Sequence, residues 1–259
     1  MRKLSAALVL LVAAATTARA DWTTTSAQIE STPDGVQHRH AVLTNLETSA
    51  HAVIDLALFS TKSCTLRVID QANAPRRDLA YVMQRENCLA GVNGGYFDSD
   101  YAPIGLLIVD GKTIAPLRRA RLITGVLIAS SRGVQIMRTH EFSRQPESNS
   151  AVQCGPFLVD LGRRVRGLEE MRESRRTFAA VAKSDRAALG FCSEISLARL
   201  AEILGSMQLA DDFKISRALN LDGGSSSGFW FAREGHAFSV PEQKTVRDFV
   251  AVVPRGSGD

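Results

Sequence analysis

A chain of 259 residues with 45% hydrophobic and 22% charged residues, 19 Gly and 8 Pro is long and apolar enough to bury a core, which excludes a disordered tail or a fibrous repeat. Its formal charge of +4 invites a nucleic-acid reading, but Arg2, Lys3 and Arg19 sit in a leader-like segment, and without them 28 basic residues face 27 acidic ones, a net of +1. That balance leaves no electrostatic case for nucleic acid.

In chain order, Met1-Arg2-Lys3 is a short cationic start, Leu4 to Ala15 is apolar, and Ala18-Arg19-Ala20 has the small-x-small pattern of a signal-peptidase site. Residues 1–20 therefore read as a signal peptide cleaved after Ala20, and residues 21–259 as one domain with no linker or repeat dividing it. The apolar run is shorter than the ~20 residues a membrane-spanning helix needs, so no stable membrane span is expected. The expectation is a soluble exported protein, periplasmic in preference to fully secreted.

Apolar runs bounded by turn residues follow at Ala52 to Phe59, Leu66 to Ile69, Ile104 to Val109, Leu122 to Ala129, Val134 to Met137, Phe157 to Val159, Phe178 to Ala182, Ala187 to Phe191, Ile215 to Leu221, Phe229 to Ala232 and Phe249 to Val253. These predict strands. Asp110-Gly111, Ser131-Arg132-Gly133 and Lys183-Ser184-Asp185 are hairpin turns, so much of the sheet is predicted antiparallel. Helices are predicted over Asp78 to Asn87, and over Ser196 to Leu204 with Ser196 as N-cap and Gly205 as stop. The class is α+β, a mixed, largely antiparallel sheet with a few packed helices. The polar stretch Ser143 to Ser150 and the basic stretch Arg163 to Arg176 read as surface loops.

Four cysteines in an exported chain read as two disulfides, with three possible pairings. The favoured one joins Cys64 with Cys88 and Cys154 with Cys192.

Two segments carry most of the chemistry. Asn93-Gly94-Gly95-Tyr96-Phe97-Asp98 follows the apolar Leu89-Ala90, and Asn220-Leu221-Asp222-Gly223-Gly224-Ser225-Ser226-Ser227 follows an apolar strand. In each, Asn and Asp flank a Gly-Gly pair that lets bare backbone approach a ligand. If the two strand ends meet, Asn93, Asp98, Asn220 and Asp222 line one pocket. Arg176-Thr177 opens a strand, where an arginine can take a phosphate bidentately. Gln153-Cys154-Gly155-Pro156 is a rigid turn with Gln153 as an amide contact.

Asn93-Gly94-Gly95-Tyr96-Phe97, Gly155-Pro156-Phe157-Leu158-Val159, Arg176-Thr177 and Asn220-Leu221-Asp222-Gly223-Gly224-Ser225-Ser226 come in the order and approximate spacing of the phosphodiester glycosidase family, which this chain resembles from about residue 40 to 253. The family usually has a third glycine where this chain has Ser225. The resemblance implies hydrolysis of a sugar 1-phosphodiester of the N-acetylglucosamine-1-phosphodiester kind, a phosphorylated glycan as partner, and no cofactor. On that reading Asp222 is the catalytic carboxylate with Asp98 the second choice. Arg176 and the glycine N–H groups hold the phosphate. Asn93, Gly94, Gly95, Gln153, Thr177, Asn220, Gly223, Gly224, Ser225 and Ser226 line the substrate.

The alternative function is a non-catalytic binder of phosphate-bearing envelope glycans, which would not need Asp222. A serine-hydrolase reading lacks G-x-S-x-G and S-x-x-K. A metal reading could use His38 and His40, which fall on one face of an extended segment, or Asp98 and Asp100, but pairs of this kind are common on ordinary surfaces, and no metal is expected.

Overall fold

The computed structural model describes residues 22–143 and 148–256. The expected leader, and residues 144–147 of the expected polar loop, lie outside the described residues.

The chain opens with β1 (Trp22–Ser31), β2 (Gln37–Asn45), β3 (His51–Ser60) and β4 (Cys64–Asp70), then α1 (Leu79–Arg85) and β5 (Ala90–Asn93). Short strands follow: β6 (Leu107–Val109), β7 (Lys112–Ala115), β8 (Gly125–Ser130), β9 (Gly133–Arg138), β10 (Ser148–Cys154), β11 (Phe157–Asp160) and β12 (Arg163–Arg164). The last third holds β13 (Ser174–Ala182), β14 (Arg186–Ile195), α2 (Leu197–Ser206), β15 (Ile215–Asn220), β16 (Phe229–Phe231), β17 (Phe238–Val240) and β18 (Asp248–Pro254).

These strands make an eight-stranded sheet in the order β1-β2-β3-β14-β13-β15-β11-β12 and two five-stranded sheets, β7-β6-β10-β8-β9 and β17-β16-β5-β18-β4. The central strands of the large sheet, β3 and β14, are buried almost end to end, as near-continuous apolar runs must be when both faces are covered. One face packs on α2, where Leu200, Ala201, Ile203 and Leu204 meet Leu56 and Phe178. Each large apolar side chain buried there contributes about 2 kcal/mol. The other face meets the two smaller sheets through Phe59, Leu127, Phe157, Phe191 and Phe229. On the far side of the β5 sheet, α1 buries Leu79, Val82 and Met83 against Trp230 and Phe249.

The three predicted hairpin turns join β6 to β7, β8 to β9 and β13 to β14. Both helices start as expected, with Asp78 capping Tyr81 N–H at 2.7 Å and Ser196 capping Arg199 N–H at 3.3 Å. Several expectations need correction. Every strand pairing among the described residues is antiparallel, so the sheets are not mixed, and sheet predominates over the two helices. Gly205 does not stop α2; it lies inside the last turn, where a side chain would crowd the Arg164 backbone. Ser148 to Ser150 and Ser174 to Arg176 are strand, not loop.

The expected disulfides are absent: all four cysteines are free and buried. Neither favoured pair shares a core layer. Cys64 and Cys154 lie between the sheets, Cys88 lies with α1, and Cys192 lies with α2. Burial pushes the Cys88 thiol up to about 11 and the Cys192 thiol to about 12, which keeps both protonated and unreactive.

Candidate active site

Asn93 ends β5, which is held between β16 and β18, and Asn220 ends β15, which is held between β13 and β11. The two strands belong to different sheets, and their trailing loops meet. Asn93 Nδ2 donates to the Asp222 carbonyl at 2.7 Å, Asp222 N–H donates to the Gly94 carbonyl at 3.0 Å, and Gly228 N–H donates to Asn93 Oδ1 at 3.2 Å. Asn220 Nδ2 donates to the Gly155 carbonyl at 2.9 Å, and Tyr96 OH donates to the same carbonyl at 2.7 Å. The Asn93 and Asn220 side chains are each 1% exposed and fasten one loop to another, which makes them braces of the site. Of the two asparagines' side-chain atoms, Asn220 Oδ1 has no protein partner.

The junction holds two carboxyl groups, only one of them expected. Asp222 is half-buried, and burial raises its carboxyl above the ordinary range while Ser226, Lys244 and the Gly223 N–H pull the other way. Asp248, at the start of β18, is 1% exposed and accepts from Gly95 N–H at 3.0 Å through Oδ1, whereas Oδ2 has no protein partner. Burial pushes it up to about 7, with Asp70 and Asp222 adding repulsion. Gly94 exists for this residue: its N–H donates to the Asp248 carbonyl at 2.9 Å, and a methyl group there would overlap the Asp248 carboxyl. The Gly94-Gly95 pair thus serves an internal carboxyl first.

Asp98, the second-choice carboxylate, is exposed, and its Oδ1 accepts from Asp100 N–H and Ala102 N–H, both at 2.9 Å, closing its own turn. Gln153 is also occupied elsewhere. Its Oε1 accepts from Leu106 N–H at 2.9 Å and Arg118 N–H at 3.0 Å, and its Nε2 donates to the Arg118 and Ile123 carbonyls. Gln153 is a strut that fixes the turn before Gly155.

Arg176 is 8% exposed; Nε donates to the Ile195 carbonyl at 3.0 Å and Nη2 to the Arg172 carbonyl at 2.7 Å, while Nη1 lies beside Gly223. Its neighbour Arg175 clamps the loop from the other side, donating to the Ser227 and Pro241 carbonyls at 2.6 and 2.7 Å. Ser225 is exposed, and its carbonyl takes Gln243 N–H and Lys244 N–H at 2.8 and 3.2 Å, which brings Lys244 into the electrostatic field of Asp222. Gly224 has φ +64°, the left-handed conformation that glycine supplies without strain. The buried hydroxyls of Thr177 and Ser227 have no protein partner, and the Ser226 hydroxyl serves Asp222. Beside the Gly155 turn runs a groove of about 590 Å³ lined by Arg121, Leu122, Pro156, Phe157 and Glu169.

Sequence reasoning missed Asp248, Lys244 and Tyr96 in these roles. Only the acidic residue opening the apolar run Phe249 to Val253 could have flagged the first.

The two strand-end loops, Arg176, Lys244 and Asp248 fall within residues 86–253, the span that matches the phosphodiester glycosidase family. The chain belongs to that family. The uncharacterized protein YigE of Escherichia coli K12 is 32% identical over 91 residues, and the match spans 36% of that protein's length. Among solved structures, the catalytic domain of zebrafish N-acetylglucosamine-1-phosphodiester alpha-N-acetylglucosaminidase, auto-inhibited by its pro-peptide, is similar with a TM-score of 0.60 at 15% identity, covering 92% of this chain and 85% of that one. A hypothetical protein from Synechocystis aligns with a TM-score of 0.63 at 14% identity, over 89% of this chain and 64% of its own. Likenesses at that identity establish the fold alone.

Proposed function

We propose that this protein hydrolyses the glycosidic bond of a sugar 1-phosphodiester, of the N-acetylglucosamine-1-phosphodiester kind, in envelope glycans outside the inner membrane. The family and the fold support the reaction class, and the leader-like residues 1–20 support the compartment. The observation that carries the reading is the loop junction, where Asp222 stands among buried polar atoms without protein partners and directly precedes Gly223, beside which lies Arg176 Nη1. A purely phosphate-binding protein has no use for a half-buried carboxylate facing an anion, so the binder reading is the weaker one.

On this reading water adds to the anomeric carbon as the carbon–oxygen bond breaks. The electron pair leaves with the phosphate, which stays on the second group as a monoester. A phosphate of this kind is a weak base and departs with little help from an acid, so one carboxylate suffices. Asp222 takes the proton of the attacking water, and Arg176 with the glycine backbone holds the leaving phosphate. The partly basic groove beside Gly155 is placed to receive the group that carries it. Asp248 replaces Asp98 as the second carboxyl of the site, holding its proton below about pH 7.

Hydrolysis in ¹⁸O-labelled water tests the bond assignment. Label recovered in the free sugar supports glycosidic cleavage. Label recovered in the phosphate product means phosphorus–oxygen cleavage and overturns it.

A further inference from the structure

We propose that His38, His40 and Asp55 form a binding site for one divalent transition-metal ion of the zinc class. The site is built on β2 and β3 and is separate from the loop junction. Its ligand atoms are His38 Nε2, His40 Nδ1 and a carboxylate oxygen of Asp55, all within 4.8 Å of one another.

The strand register assembles it. His38 and His40 are two apart on β2 and so point to the same face, and His40 sits directly opposite Asp55 on β3. Asp55 Oδ1 lies 2.9 Å from His38 Nε2 and 2.8 Å from His40 Nδ1. Both imidazoles thus aim a nitrogen at one oxygen, which is the convergence that a metal requires. Ligands about 2.1 Å from a tetrahedral ion stand roughly 3.4 Å apart, so the two histidine–carboxylate gaps need open by only about half an ångström while the two histidine nitrogens, within 4.8 Å of each other, settle to the same spacing.

The surroundings favour an ion over a bare hydrogen-bonded triad. The His38 and Asp55 side chains are each 2% exposed, and the His38 ring is wedged among Phe229, Phe231 and Phe238 at centroid distances of 5.4, 5.1 and 4.5 Å. In that apolar layer the Asp55 carboxylate faces no arginine or lysine ion pair among the described residues; both its ionic contacts are histidines. A cation matches the buried charge better than two imidazole dipoles do. No net proton release is needed when both rings start neutral. Each gives up the N–H facing Asp55 and carries its proton on the far nitrogen instead.

The donor set selects the class of ion. Two imidazole nitrogens and one carboxylate oxygen suit zinc, cobalt, nickel or copper, whereas calcium and magnesium take all-oxygen shells. His40 is 32% exposed, so its side of the cluster meets solvent and a fourth coordination position lies open to water or a small anion. Three protein ligands and one open place distinguish such a site from closed four-ligand structural zinc.

The test uses untagged protein stripped with a chelator and then dialysed against Zn²⁺ or Co²⁺. Elemental analysis is expected to find one equivalent of zinc in the wild type, and Co²⁺ to give visible ligand-field bands of a site with nitrogen ligands. His40→Gln, at the exposed member and so least disruptive to folding, should weaken binding at least 100-fold while its circular dichroism stays native. At free zinc 100 times the Kd, the wild-type melting temperature should rise by roughly 5–10 °C and that of the variant should not. A wild type that retains no ion and shows no cobalt bands overturns the site, as does a folded His40→Gln that binds as tightly as the wild type. Sugar release is not the readout, so failure of the hydrolase reading leaves this test intact.

Discussion

Two buried polar clusters flank Cys154 and are built on opposite principles. On one side Gln153 has both amide atoms matched, two N–H groups on its oxygen and carbonyls on its nitrogen. On the other, the Gly155 carbonyl anchors Tyr96 and Asn220 at the edge of a junction where Asn220 Oδ1, Thr177 Oγ1, Ser227 Oγ and Asp248 Oδ2 lack protein partners. A buried polar group left unmet costs about 1–3 kcal/mol, so four gathered in one place leave room for water or a ligand to satisfy them. The first cluster is satisfied within the protein; the second keeps hydrogen-bonding capacity that the protein does not fill.

That contrast can be broken or sharpened by substitution, and the largest effect belongs to the unmatched cluster. Arg176→Gln is expected to lower kcat/KM by about 10²–10³ through loss of charge opposite the leaving phosphate, as measured by steady-state sugar release. A kcat/KM within threefold of wild type would remove Arg176 from the reaction.

Asp248 comes next, and its effect depends on pH. Its carboxyl is raised from 3.8 to about 7, so between those values the folded protein keeps a proton that the unfolded chain releases. Stability from this group is therefore greatest near pH 4 and falls as pH climbs to 7, by roughly 4 kcal/mol in all. Asp248→Asn should remove that fall, so urea unfolding of variant and wild type should diverge upward with pH in favour of the variant. Parallel pH profiles would show that Asp248 titrates normally.

Gln153→Ala, in the matched cluster, strands Leu106 N–H and Arg118 N–H and should cost about 3 kcal/mol of stability, read as a shift in the denaturation midpoint. Its kcat is expected to stay close to wild type below that midpoint; a selective loss of turnover would move Gln153 into the site. The smallest effect is expected at Asp98→Ala, about 1 kcal/mol at most from loss of an exposed turn, with kcat/KM within twofold. A larger loss of turnover would restore Asp98 as a candidate base.

The parts of this fold legible in the sequence were those where local chemistry and tertiary context agree. The run Ala52 to Phe59 reads as a buried strand, Asp110-Gly111 as a hairpin, and Asp78 and Ser196 as caps, because each signal is satisfied within a few residues. The strands β1, β2 and β10 carried no such signal. β1 is a polar edge strand held by its ladder to β2, and β10 buries Ser148, Ser150 and Gln153, whose polarity is matched only by distant partners such as Val68 N–H and Leu106 N–H. Asn93, Arg176, Asn220 and Asp222 could be named from their motifs, but not that both asparagines brace the loops. Asp248 was hidden because its role depends on Gly94, 154 positions earlier in the chain. The cysteines misled because an even count says nothing about which core layer each thiol enters.

On the proposed function, Asp222 is the carboxylate that cleaves a sugar 1-phosphodiester. Release of N-acetylglucosamine from its methyl phosphodiester, measured beside affinity for the same compound in wild type and Asp222→Asn, tests it most directly. Wild type is expected to release the sugar, and the variant to show a roughly 10²–10⁴-fold lower kcat with affinity within a few-fold. Equal turnover by the variant, or binding by both proteins with no sugar released by either, would contradict it.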